Sequence, residues 1–234
     1  MKELENPLPA GTLFVVSTPI GNLKDMTLRA IEVLSEVDLI AAEDTRHTRI
    51  LLQHFKIKTL TTSYHDFNKE KKIPTLIKRL KGGEKIALVS DAGTPGISDP
   101  AYKLVKACVE SDVPIEVIPG ATAFVPALTL SSLPTDRFAF EGFLPRKRGR
   151  KKRIDSLKDD PRTLIFYESP YRLSSTFSDL EDVFANRKAA LVREITKKFQ
   201  EVHRGTVREL KSKLTQIKLK GEFVLVIEGK GKGE

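Results

Sequence analysis

The sequence predicts an α/β protein of two domains with a cleft between them. Three observations carry this. First, short apolar runs alternate with amphipathic stretches across residues 11–119, the pattern of strands joined by helices. Second, Pro119-Gly120 punctuates the chain, and strand-like runs become denser beyond it. Third, the charge is divided: residues 1–120 hold 16 Lys/Arg and 16 Asp/Glu, while residues 121–234 hold 24 and 15. The domains are therefore drawn as 11–119, with a mostly parallel sheet, and 120–230, a basic α/β domain.

In order, Thr12–Val16 reads as a buried strand and Thr27–Glu36 as a helix with Leu28, Ile31 and Leu34 at helical spacing. Asp38–Ala42 is a second strand. Thr45–Phe55 is a helix, with Ile50, Leu51 and Leu52 available for packing. Thr59–Thr62 is a short strand. Glu70–Leu80 is a helix with Ile73, Leu76, Ile77 and Leu80 on one side, stopped by Gly82-Gly83. Strand 86–90, helix 100–110 and strand Ile115–Ile118 complete a βαβ series, which calls for helices on both faces of a parallel sheet. In the second half Ala121–Leu130, 149–158 and Arg172–Phe184 read as helices. Phe138–Phe143, Thr163–Glu168, Ala189–Arg193, Glu201–Gly205 and Glu222–Ile227 read as strands. The tail Gly229–Glu234 is expected to fray.

Composition narrows the class. The 234 residues suffice for two cores, and no apolar run approaches the span of about 20 residues that crosses a bilayer. Met1–Pro7 is polar and acidic, unlike a signal peptide. A single cysteine, Cys108, excludes an intrachain disulfide and a multi-cysteine zinc site, and its helical setting makes it a small core residue. The four histidines lack metal-ligand spacing. A soluble cytoplasmic protein without a membrane partner or a structural metal is expected.

Chemistry concentrates at strand ends. The run Ile86–Val89 delivers Ser90-Asp91-Ala92-Gly93-Thr94-Pro95-Gly96-Ile97-Ser98-Asp99-Pro100. Asp99 and Pro100 fit an N-cap and a first helical position. Asp91 and the small residues between are left over, and ligands of open α/β sheets bind in such loops. Ser17–Asp25, with Pro19 and Gly21, follows the first strand in the same way. No P-loop and no Gly-x-Gly-x-x-Gly is present. Glu43-Asp44-Thr45-Arg46-His47-Thr48-Arg49 places two acids, two arginines and a histidine in seven residues, able to hold anions or move protons, or equally to cap a helix. Phe166–Arg172 and Arg193–Phe199 are further polar strand ends. The run Arg146-Lys147-Arg148-Gly149-Arg150-Lys151-Lys152-Arg153 has seven basic residues in eight; it is a phosphate-backbone contact or a solvated helix start. The residues alone therefore favour an enzyme acting on a phosphorylated or nucleic-acid substrate.

Taken together, Ser17–Leu23, Ala42–Arg46, Ser90–Pro100, Pro119–Ala121, Gly142–Lys147, Phe166–Glu168 and Arg193–Lys197 resemble the bacterial ribosomal RNA small subunit methyltransferase I group of the tetrapyrrole methylase superfamily, in order from about Gly11 to Gly229. Ala101 and Ser132 stand where that group usually has glycine. The resemblance implies the tetrapyrrole methylase type of two-domain fold and S-adenosylmethionine as cofactor. It implies 2′-O-methylation of a cytidine ribose in the decoding region of 16S rRNA, within the 30S subunit, by a homodimer. By matching motifs, Pro19, Asp91, Gly93, Ile97, Ser98, Thr122, Ala123 and Tyr167 are the cofactor-binding set, with Gly221 near the last strand. Glu43, Asp44 or Glu168, or else His47, is expected to accept or relay the hydroxyl proton, while Arg46 and Lys197 orient phosphates. Arg146, Lys147, Arg148, Arg150, Lys151, Lys152 and Arg153 are expected to grip RNA. Two rivals remain at this stage: a methylase of the same superfamily acting on a tetrapyrrole or a protein, and a non-catalytic RNA-binding protein.

Overall fold

The first sheet is built from runs short enough and apolar enough to be buried on both faces. β1 (Leu13–Val16), β2 (Leu39–Ala42) and β4 (Ile86–Val89) are wholly buried, as strands between two helical layers must be. A computed structural model describes residues 8–231 of the chain; Met1–Pro7 and Lys232–Glu234 lie outside the described residues. β3 (Thr61–Ser63) and β5 (Ile115–Ile118) form the edges, giving an all-parallel order β3-β2-β4-β1-β5. Alternation along the strands separates two cores. Phe14, Val16 and Ile40 pack under α1 (Leu28–Glu36) and α2 (Thr45–His54), whereas Leu13, Val15 and Leu88 pack under α3 (Lys69–Lys81) and α4 (Ala101–Glu110). Leu28 and Ile50 point to solvent, contrary to the helical-spacing expectation; Ile50 is 65% exposed because Leu51 and Leu52 already fill the buried face of α2.

Connection α1 leaves β1 over one face toward β2, and α4 leaves β4 over the other face toward β5. β1 and β4 are neighbours, so their carboxyl ends flank the switch point of the sheet, where open α/β sheets hold ligands.

Cys108 is fully buried against α3 and β4, and burial pushes its thiol up to about 11. Iodoacetamide at neutral pH is expected to leave the native chain unmodified and to alkylate Cys108 once guanidinium unfolds it. Rapid labelling of the native protein, read by mass, contradicts this packing.

The chain divides into two compact units after Thr122, rather than after Pro119. The reason is local: Gly120 lies against Ser17, and the Ala121 carbonyl accepts a hydrogen bond from Thr94 Oγ1 at 3.1 Å, so both residues stay with the first unit.

The second unit holds β6 (Phe138–Phe143), β7 (Thr163–Glu168), β8 (Lys188–Arg193), β9 (Glu201–Thr206) and β10 (Phe223–Ile227), ordered β6-β7-β10-β8-β9. Only β6 and β7 are parallel. One face carries Leu164, Phe166, Leu191 and Leu225 under α6 (Arg150–Ser156), α7 (Leu173–Phe184) and α8 (Val207–Lys213). α5 (Phe124–Ser131) covers the opposite face, where Phe124 packs on Phe140 at 4.9 Å between ring centroids. Helix α8 was absent from the sequence expectations, although Thr206 and Glu209 form a capping box that signals it. Ser132, in a glycine position of the resembled group, ends α5 at φ +64, a left-handed conformation costing a serine about 1 kcal/mol. Of the tail expected to fray, Lys230 is held, its N–H donating to Asp160 O at 2.8 Å and its ammonium pairing with Asp159 at 2.5 Å; Lys232–Glu234 lie outside the described residues.

Candidate functional site

The carboxyl edge of the first sheet gathers most of the strand-end motifs of that half. The loop after β1 and the loop after β4 are stapled by a two-way antiparallel bridge, Thr18 N–H to Gly93 O at 2.9 Å and Gly93 N–H to Thr18 O at 3.0 Å. Gly93 sits at φ +82, and a Cβ there would press on Ile20 at 3.3 Å. Ser17 Oγ and Thr94 Oγ1 lie 2.9 Å apart, and Thr94 in turn reaches Ala121 beyond β5. A Cβ on Gly120 would stand 2.8 Å from that of Ser17. Three strand ends thus meet only because two glycines let backbone approach backbone.

Glu43 and Asp91, on β2 and β4 ends, form a crossed clasp. The Asp91 N–H donates to Glu43 Oε2 at 3.2 Å, and the Asp44 N–H donates to Asp91 Oδ1 at 2.9 Å. Half-burial and the nearby charges of Asp91, Asp99 and Asp66 hold the Glu43 carboxyl above the ordinary glutamate range. Asp44 behaves oppositely. Its carboxylate caps α2 by accepting the Arg46 N–H at 2.8 Å and takes the Arg46 guanidinium in a two-pronged pair, so it is held well below the usual range. Arg46 itself remains 86% exposed. A cavity of about 280 Å³ opens beside this edge, lined by Thr18, Pro19, His47, Thr48, Ser90 and Asp91 among others.

Beyond Asp91 the loop turns through Gly96 (φ +97) and Ser98 (φ +69). Asp99 closes it by accepting the N–H groups of Gly96 and Ala101, both at 2.8 Å. Helix α4 therefore begins at Ala101 with Pro100 as the N-cap position, one residue later than expected, and Asp99 serves the cap from outside. Of the other expected cofactor residues, Ile97 is part-buried in this loop and Thr122 ends the first unit. Ala123 and Tyr167 belong to the second unit: Ala123 starts α5, and Tyr167 lies on β7 between the rings of Phe140 and Phe143.

The sequence missed His65, just past β3. Asn68 Nδ2 donates to Ser63 O and to Ser63 Oγ and lies 3.2 Å from His65 Nε2. His65 Nδ1 is buried and has no partner among the described residues. Nothing in the spacing of the histidines marks it.

In the second unit one expectation changes. Glu168 is not an accessible acid: its side chain is 1% exposed, accepting Thr176 Oγ1 at 2.5 Å and the Ser169 N–H at 2.8 Å, with Arg172 Nε at 3.5 Å. Lys197 is held between two carboxylates, its ammonium 2.9 Å from both Glu194 and Glu222. The loop around it is strained, with Glu194 at φ +51 and the β-branched Thr196 at φ +65. Gly221 makes room there, since a Cβ would stand 2.4 Å from the Glu194 carboxyl.

The basic run is also sorted. Arg150 is a structural residue whose Nε donates to Asp179 at 2.6 Å and Nη2 to Thr176 at 2.8 Å, and Arg153 Nε donates to Glu141 at 2.7 Å. Arg146, Lys147, Arg148, Lys151 and Lys152 are exposed, and among the described residues no carboxylate pairs with them.

No helix among the described residues is long and apolar enough to cross a membrane, and none of their His, Cys, Asp and Glu side chains group to hold a metal ion.

Known proteins extend this geometry. The family model for Tetrapyrrole (Corrin/Porphyrin) Methylases matches residues 12–211. The ribosomal RNA small subunit methyltransferase I of Synechocystis sp. is 52% identical over 94% of this chain and 79% of its own length. The protein of the same name from Escherichia coli O157:H7 is 49% identical over 94% of this chain and 78% of its own. The crystal structure of uroporphyrin-III C-methyl transferase from Thermus thermophilus, complexed with S-adenyl homocysteine, superposes with a TM-score of 0.64 at 17% identity, over 93% of this chain and 96% of that one. With the fold, the match along most of its length and relatives half identical to it, the chain belongs to the tetrapyrrole methylase family, in its ribosomal RNA small subunit methyltransferase I branch.

Proposed function

We propose that this chain moves a methyl group from S-adenosylmethionine to the ribose 2′-hydroxyl of a cytidine in the decoding region of 16S rRNA, acting as a homodimer on the 30S subunit. The observation that carries the reading is the stapled pair of loops at the switch point of the first sheet, beside the clasped carboxylates of Glu43 and Asp91. It stands in a chain half identical to proteins named for small-subunit rRNA methylation.

The residues fit an adenosyl amino acid. Asp91 commits Oδ1 to the clasp, which leaves Oδ2 for an ammonium group. Gly96 has open space where a side chain would stand, so loop peptide groups are reachable. Gly93, Ile97 and Ser98 belong to that loop and Pro19 to the loop stapled to it; Thr122, Ala123 and Tyr167 are the further contacts of this reading. When bound, the cofactor supplies an electrophilic methyl carbon on a sulfonium. With the cofactor held by the stapled loops, the chain would align the hydroxyl oxygen with that carbon. Glu43 takes the hydroxyl proton, being the stronger base of the two strand-end acids. Arg46 and the exposed cations Arg146, Lys147, Arg148, Lys151 and Lys152 hold RNA phosphates.

Calorimetry of the full chain with S-adenosylmethionine is expected to show binding, and labelled methyl groups to enter 30S subunits lacking the modification but not a tetrapyrrole. Glu43→Gln is expected to keep cofactor affinity and lose roughly 100- to 10,000-fold in turnover. In the unaltered protein kcat/KM rises with pH through an apparent pKa above the glutamate range, since only ionised Glu43 accepts the proton. Methylation of a tetrapyrrole in place of the 30S subunit overturns the substrate, and full turnover by Glu43→Gln overturns its role.

A further inference from the structure

We infer that Tyr171 is a base-stacking residue, set beside the phosphate-binding cations so that one surface of the second unit grips an unpaired stretch of RNA by its backbone and by one of its bases. The inference rests on the proposed RNA substrate.

Tyr171 is 96% exposed in a chain with only 16 Phe and Tyr and no Trp. A ring left in water is common enough alone. What sets this one apart is its neighbourhood and how firmly that is fixed. β6 and β7 are parallel neighbours, with Phe143 registered against Tyr167. Their carboxyl ends therefore emerge side by side, one leading to Leu144-Pro145-Arg146-Lys147-Arg148 and the other to Ser169-Pro170-Tyr171-Arg172.

Arginines tie the two ends together. Arg172, next to Tyr171, donates from Nη2 to Leu144 O at 2.7 Å and to Pro145 O at 3.4 Å. Arg150 donates to the same Pro145 carbonyl at 3.2 Å and to Thr176, which hydrogen-bonds Glu168. Buried Glu168 stands behind both, with Arg172 against its carboxylate. These arginines have no charge to spare for RNA. They act on the backbone of the basic loop, and Arg150 and Arg172 are positioning residues. The unpaired cations Arg146, Lys147 and Arg148 and the ring of Tyr171 are what the tied loops present to solvent.

A row of cations with an exposed aromatic ring suits single-stranded RNA. Cations neutralise phosphates, and every base has a face to stack on a ring. A duplex keeps its bases stacked internally and offers the ring nothing, so the surface discriminates for unpaired RNA.

The test is fluorescence anisotropy of the full chain with a labelled single-stranded RNA oligonucleotide and with an RNA duplex, each over a series of salt concentrations. Tyr171→Ala is expected to weaken single-strand binding by about fivefold to a hundredfold, with the salt slope and the duplex affinity unchanged. Tyr171→Phe keeps the ring and is expected to bind as the parent does. The triple change of Arg146, Lys147 and Arg148 to Ala is expected to lower the single-strand salt slope by about 2. Single-strand binding by Tyr171→Ala equal to that of the parent overturns the stacking role, as does an equal loss on duplex. Failure of the parent to bind the single-stranded RNA overturns the stacking role, whereas the RNA substrate itself stands or falls with methyl transfer to the 30S subunit.

Discussion

Asp91→Ala is expected to lower methyl transfer by about a hundredfold or more. The loss comes from position. Asp91 Oδ1 receives the Asp44 N–H, and removing it leaves that part-buried donor without an acceptor, at a cost of about 1–3 kcal/mol. The β2 end then relaxes away from the β4 end and carries Glu43 with it, because the other half of the clasp, Asp91 N–H to Glu43, is a long bond at 3.2 Å. A displacement of an ångström at a proton acceptor suffices for the expected loss. Asp91→Asn separates geometry from charge. Its amide oxygen still accepts the Asp44 N–H, so the fold and the loop are kept, while the negative charge offered to the cofactor is gone. Calorimetry and single-turnover rates read the two apart: weaker cofactor binding by Asp91→Asn marks the charge, and lost turnover by Asp91→Ala beyond that of Asp91→Asn marks the clasp. Activity of Asp91→Ala near that of the parent rules out both roles.

Glu168→Ala is expected to destabilise the second unit by about 3–5 kcal/mol, the scale of removing one partner from a buried ion pair. Thr176 and the Ser169 N–H lose their acceptor together, and Arg172 loses the charge behind it. Glu168→Gln keeps an acceptor in place and is expected to cost much less. Because the chain has two units, one melting curve is not a sufficient measure. Hydrogen exchange localises the effect: β7 and α7 are expected to lose protection while β1 and β4 keep theirs. Uniform loss of protection, or none, contradicts the assignment of Glu168 as an anchor of the second unit.

Both predictions depend on pairings over long separations, and the same distance limits what a sequence reveals. The strands were legible because each is a short apolar run between turn signals: β1, β4, β7 and β10 lie where periodicity puts them, within a residue. Asp44 was legible as a cap because its partner is two residues away. The capping box of Thr206 and Glu209 was equally local, and α8 could have been read from it. Glu168 looked like an accessible acid because nothing near it in sequence announces that Thr176 and Arg172 fold over its carboxylate. Arg150 and Arg153 looked identical to their basic neighbours, and only Asp179, Thr176 and Glu141 distinguish them.

The sequence by itself thus determined the element types, the two-part division, the uneven charge and, through seven ordered motifs, the family. These follow from local periodicity, local capping and composition, which need no knowledge of what lies opposite. The tertiary structure alone decided which charged side chains stay available for chemistry. Glu43 is a raised acid chiefly because it is half-buried, and Asp44 a lowered one because Arg46 hydrogen-bonds its carboxylate. Lys197 is held between two carboxylates, whereas Arg146, Lys147 and Arg148 face water. The role of an ionisable group depends on its solvation and its partners, and chain folding assigns both.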